Sequence, residues 1–176
     1  MASRKKAAKT SPIALAASVD LAMREAGSAP SEAVRAYLRL RSACGIIIKK
    51  VDQHLARWGL SVARYAILRL LLNKKAMTLG ELSRSQVCVA GNITMLIGRL
   101  ERDGLVKRIA DPKDGRVTRV VLTAKGRKVT AAAVEPHRAF LEELMAPLGI
   151  EKISALAASI DTVAERAAVL DVRKIG

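Results

Sequence analysis

Two clusters of side chains in this 176-residue chain have the types and spacing to read a polyanion. The first is Asn92, Thr94, Met95 and Arg99, interleaved with the apolar residues Ile93, Leu96, Ile97 and Leu100. Apolar residues at three- and four-residue steps mark the inner face of a helix, so the first set is expected to face out. An outer face that is small and polar near its start can enter a DNA major groove. Asn92 could then read adenine edges, Thr94 a phosphate or a thymine methyl, Met95 a thymine methyl, and Arg99 a phosphate or guanine. The second cluster is Lys113, Asp114 and Arg116, in the run DPKDGR over 111–116. A long cationic Arg on a projecting loop suits a narrow minor groove, where the potential is most negative. Asp114 is expected to hold the Arg116 guanidinium in one rotamer, while Lys107 and Arg119 could take phosphates. The plainer alternatives are an ordinary surface helix and a turn ion pair of little energetic weight.

These clusters need elements to position them. Thr78-Leu-Gly-Glu81 has the spacing of a capping box, which predicts a short helix over 78–85. A longer helix over about 90–103 follows and ends at Gly104. Strands are expected over 105–110 and 117–122, joined by the charged tip. Helix, turn, helix and hairpin in this order make a winged helix-turn-helix over 60–123. Before it, Ser61 starts a helix through Ile67, Leu68 and Leu71 to Asn73.

The flanks read as helices too. Ser31 caps a helix whose apolar positions run from Val34 to Leu55 and which ends near Trp58-Gly59. Thr123 caps another, which Pro136 is expected to break or kink. A turn at Pro147-Leu-Gly149 precedes a last helix over 150–170. Residues 1–30 form a basic extension, expected to be partly disordered with a short helix over 13–26. The fold class is therefore mainly α with a small β-hairpin wing. Segments 31–59 and 124–176 are more apolar than one small domain can cover. Burial against a second copy would solve this, and two-fold symmetry would present two reading heads.

Charge agrees with a polyanionic partner. Of a formal net charge of +15, residues 60–128 supply the larger part, with fifteen basic against five acidic residues. Such a field attracts nucleic acid and speeds encounter, although a merely soluble surface is the bland reading. No apolar run approaches the roughly 20 residues that span a bilayer. The N-terminus makes a poor signal peptide, so a cytoplasmic protein without a membrane partner is expected.

No catalytic set is visible. His54 and His137 are the only histidines and lack metal-ligand spacing, and there is no phosphate loop or nucleophile motif. Neither a cofactor nor a metal is expected. Cys44 and Cys88 do not make a disulfide framework, but they raise a thiol-based redox reading. A small-molecule site is expected where the first long helix meets the helix after Ser61. There Lys50, His54, Trp58, Arg64 and Tyr65 could receive a small anion, an aromatic acid or a CoA thioester, by stacking and by cation pairing.

Over residues 60–128 the sequence resembles the MarR family of bacterial transcription regulators. The segments that carry the likeness are GLSVARYAILRLL, LGELSRS, GNITMLIGRLERDGLVKR, DPKDGR and LTAKGRK. The resemblance implies a homodimer joined by terminal helices and a pseudo-palindromic operator in double-stranded DNA. It implies release or repositioning when a small anionic aromatic molecule binds between the dimer helices and the reading head, and DNA contacts at Asn92, Thr94, Met95, Arg99, Asp114 and Arg116. Val89 departs from the family, which often has a capping Ser or Asp there. A repressor is thus the expected role. A non-specific basic nucleic-acid binder and a redox-sensing regulator are the alternatives.

Overall fold

A computed structural model describes residues 31–85 and 93–171. The expected helix over 13–26, Cys88, Val89, Asn92 and the start of the reading helix lie outside them. In chain order the elements are α1 (Glu32–Leu55), a 3-10 turn (Ala56–Trp58), α2 (Val62–Lys74), β1 (Ala76–Thr78) and α3 (Leu79–Arg84). Then come α4 (Ile93–Arg102), β2 (Val106–Ala110), β3 (Thr118–Leu122) and α5 (Ala124–Met145). A second 3-10 turn (Ala146–Leu148) and α6 (Gly149–Val169) complete the chain. The protein is mainly helical with a small antiparallel sheet, and it divides into two compact units, 1–130 and 131–176.

Local chemistry sets most boundaries in the first unit. The Ser31 and Ser61 hydroxyls accept from the backbone N–H groups of Val34 and Arg64 at the starts of α1 and α2. Those N–H groups have no partner within the helix, so a side-chain acceptor is needed. Asp52 Oδ1 takes another, the Val62 N–H, at 2.7 Å and so ties α1 to the start of α2. At α3 the capping box is complete: Glu81 N–H donates to Thr78 Oγ1 and Thr78 N–H donates to Glu81 Oε2.

Glycine closes two helical segments in the same way. Gly59 and Gly104 adopt φ of 67° and 68°. The next residues, Leu60 and Leu105, donate back to the carbonyls of Leu55 and Leu100. This paired closure needs a left-handed residue, which glycine supplies without a Cβ clash.

The sheet holds three strands in the order β1-β3-β2, not the two of a simple hairpin. β1 was not expected from the sequence. It pairs Met77 with Val120 and Thr78 with Arg119, while β2 pairs Ile109 with Arg119 and Val106 with Leu122. Leu55, Ile67, Leu68, Leu71, Leu82, Ile97, Leu100, Val106 and Val120 form the fully buried core. Within this core α4 packs against α3 and β2.

The junction between β2 and α5 is unusually close. Thr123 Oγ1 donates to the Gly104 carbonyl at 2.6 Å and accepts from Gly126 N–H, capping α5 as expected. Gly126 is buried, and a Cβ placed on it would lie 1.9 Å from the Leu105 carbonyl oxygen. Only glycine admits this approach.

In the second unit, α5 runs through Pro136 without a break, so of the expected break or kink the break does not occur. Proline removes one N–H, but the remaining ladder carries the helix across it. Within this unit His137 stacks on Phe140, with ring centroids 6.4 Å apart. No residue of α6 is buried, and its apolar stripe stands open: Ile150 is 77% exposed, Val163 59% and Val169 74%.

Candidate nucleic-acid interface

The described part of α4 has the expected two faces. Ile97 and Leu100 are buried, while Thr94, Met95 and Arg99 are exposed. Arg99 Nη2 lies 3.7 Å from Met95 Sδ, one turn back on the same face. The outer surface therefore carries a methyl-bearing hydroxyl, a thioether and a guanidinium in sequence. This set can meet thymine methyls, phosphates and guanine edges.

The wing corrects one expectation. Asp114 Oδ1 accepts from the backbone N–H of Arg116 at 3.0 Å and shapes the turn. It does not pair with the guanidinium. Among the described residues Arg116 has no ion pair, and it is exposed together with Lys113. Its charge is thus available at the tip.

The acid that organises the wing is Asp111, which the sequence reading did not single out. Asp111 is buried, and its Oδ1 accepts the backbone N–H groups of Lys113 and Asp114 at 2.7 and 3.3 Å. Its Oδ2 accepts from Arg119 Nε on β3. The Arg119 guanidinium, followed by the Lys113 amide, holds this carboxyl below the usual carboxylate range. Arg119 also faces Glu81 Oε2 at 3.9 Å, and Asp111 raises its own pKa. The Thr78 backbone N–H is the main cause that lowers Glu81. Arg119, expected to take a phosphate, is instead committed to joining the wing to the start of α3. Lys107 remains exposed on β2.

Of the five side chains expected to receive a small anion, only two line one cleft. Trp58 and Arg64 line a cleft of about 270 Å³ with Gly59, Asp103, Leu105, Lys125 and Val129. Arg64 forms an ion pair with Asp103, the residue that follows α4. Lys125 Nζ donates to the Asp103 carbonyl at 2.9 Å. Lys50, His54 and Tyr65 are not in the lining of this cleft. Lys50 is exposed on α1. His54 is buried, 5.5 Å from the Trp58 ring, and its Nδ1 lies 2.6 Å from Arg57 Nη2. A guanidinium can only donate, so Nδ1 accepts and the ring is neutral. Burial, and then the Arg57 charge, lower the His54 pKa from 6.5. Asp103 and Lys125 escaped the sequence reading. Cys44 is an exposed free thiol on α1.

No group of His, Cys, Asp and Glu among the described residues could hold a metal, and no described helix is long and apolar enough to cross a membrane.

Comparison with known proteins agrees with this geometry. The MarR family model matches residues 60–118. The transcriptional regulator HosA of Escherichia coli is 33% identical over 106 residues, covering 57% of this chain and 78% of HosA. The transcriptional activatory protein BadR of Rhodopseudomonas palustris is 30% identical over 124 residues, covering 68% of this chain and 71% of BadR. The fold resembles that of Staphylococcus aureus MepR in its DNA complex. There the TM-score is 0.65 at 20% identity, over 73% of this chain and 94% of MepR. With these relatives, and with a three-stranded wing after two short helices, the chain belongs to the MarR family and is a transcription regulator, not an enzyme.

Proposed function

We propose that the protein is a homodimeric, sequence-specific DNA-binding repressor, released by a small anionic effector and acting in the cytoplasm where its DNA lies. The observation that carries DNA reading is the exposed Thr94-Met95-Arg99 face of α4 together with the exposed Arg116 on the wing. Asn92, just before the described part of α4, would add a base contact, and Lys113 a phosphate contact. Asp114 would act through the turn it shapes. MepR, with the same fold, is seen on DNA.

Dimerisation is favoured by the uncovered apolar residues of α1 and α6. Tyr37, Ile46, Ile47 and Ile48 on α1 are exposed, as are Ile160 and Val163 on α6. Residues 31–59 hold six basic and two acidic side chains, whereas 129–176 hold seven acidic and five basic. Cross-copy packing of these segments would bury apolar area and bring opposite charges together. On this reading 31–59 and 124–176 join the copies, and 60–123 reads DNA.

The net charge of +15 favours one rival, a non-specific binder of nucleic acid. Affinity selection of fragments of the source genome at physiological salt separates the two. A few fragments sharing an inverted repeat would support the repressor. Recovery of all fragments, lost steeply as salt rises, would leave the rival.

A further inference from the structure

We infer that Asp103 is a positioning residue for DNA reading: Arg64 and Lys125 grip it and so fix the tilt at which α4 presents Thr94, Met95 and Arg99. This rests on the sequence-reading proposal above and adds the residues that hold the reading surface in place.

Met95, Arg99 and Asp103 stand four residues apart, and the Asp103 N–H donates to the Arg99 carbonyl at 3.1 Å, so the three share one stripe of the helix. An acid that continues a DNA-reading stripe is unfavourable twice over. It repels the phosphates. At the end of a helix it also meets the negative pole of the backbone dipole. What offsets this is the grip. The Asp103 carboxylate takes the Arg64 guanidinium of α2, and its carbonyl takes Lys125 Nζ of α5 at 2.9 Å. Two residues earlier Glu101 faces Arg108 Nε of β2 at 3.4 Å. Three elements thus meet the last turn of α4.

The core alone leaves the tilt open. Ile97 and Leu100 are the buried residues of α4, less than one turn apart. Apolar contact is non-directional, so it sets how deep a helix sits better than how it tilts. A bond between a carboxylate and a guanidinium is directional and supplies the missing constraint. Met95 lies eight residues from Asp103, ~12 Å along the axis, so a tilt of ~10° about the gripped end moves it by ~2 Å. Recognition tolerates about 0.5 Å.

Asp103→Ala removes the carboxylate at a half-exposed position and leaves the carbonyl that Lys125 uses. By charge alone, loss of an acid should tighten binding to every duplex. The grip predicts opposite signs. Affinity for the selected inverted repeat should fall on the order of tenfold, about the loss of one base contact, while affinity for an unrelated duplex holds or rises. Arg64→Met should lower the ratio of the two affinities likewise, and adding Asp103→Ala to it should lower the ratio no further. Circular dichroism melts check that each variant is folded. Hydrogen exchange reads the grip without DNA: the amides at positions 103 and 104 should exchange faster in both single variants, with those of β3 unchanged. Equal shifts on both duplexes, an unchanged ratio, or additive losses in the double variant overturn the inference. If the parent prefers no duplex, the sequence-reading proposal fails instead and exchange decides the grip. Faster exchange at the end of α4 in both variants then upholds it, and unchanged exchange overturns it.

Discussion

Gly126 of α5 sits so close to Leu105 that a Cβ on it would lie 1.9 Å from the Leu105 carbonyl oxygen. The contact is to backbone, which cannot swing aside, and it lies at the junction that follows the reading helix. Gly126→Ala must push α5 away from the Gly104–Leu105 turn and loosen the Thr123 hydrogen bonds there. Overpacking of this kind costs about 1–3 kcal/mol or more. Denaturant melts should show that loss, and a melt matching the parent would mean the junction is softer than the structure indicates.

Asp111 and Arg116 of the wing should behave differently on substitution. Arg116→Ala removes an exposed charge and should weaken operator binding by roughly 1–3 kcal/mol, leaving the hairpin intact. Asp111→Ala strands the Lys113 and Asp114 amides and the Arg119 guanidinium. Hydrogen exchange at those two amides should then accelerate before any effect on DNA is considered. Slow exchange retained in Asp111→Ala would show that the tip is held by something else.

His54 gives the fold a pH dependence of defined sign. Its folded pKa lies below 6.5, chiefly because burial disfavours the cation, and Arg57 adds to this. Between the folded value and 6.5 the unfolded chain binds the proton and the folded chain does not. Stability therefore falls as pH drops below 6.5 and is unaffected well above it. His54→Gln should flatten this slope when urea melts at pH 7.5 and 5.5 are compared. Parallel slopes for parent and variant would remove His54 from the account.

The open stripe on α6 predicts a dimer that can be split without unfolding the chain. Val163 is 59% exposed, so Val163→Lys should cost the single chain little. At a buried two-fold contact it would place two unpaired ammonium groups in apolar surroundings. Sedimentation equilibrium should show the parent as a dimer and the variant shifted toward monomer. A monomeric parent would contradict the proposed assembly.

What could be read from the sequence was local. Ser31, Ser61, Thr78 and Thr123 marked helix starts because a cap and its amide lie within three residues of each other. Gly104 marked the end of α4 for the same reason. Relationships across the fold stayed hidden. β1 is three residues long, too short for a period, and its partner strand lies some forty residues on. The sequence offers both Asp111 and Asp114 to a nearby arginine, and only the strand register brings Arg119 to Asp111. Asp103 gained meaning only when Arg64, 39 positions earlier, was found beside it.

The central claim is that two copies of the reading head act on one symmetric site. Its most direct test is the affinity of the purified protein for a selected inverted repeat against the same duplex with one half-site scrambled, at physiological salt. The account predicts a loss of at least tenfold on scrambling, with two chains per intact duplex by sedimentation. Equal affinity for both duplexes, or one chain per duplex, would contradict it.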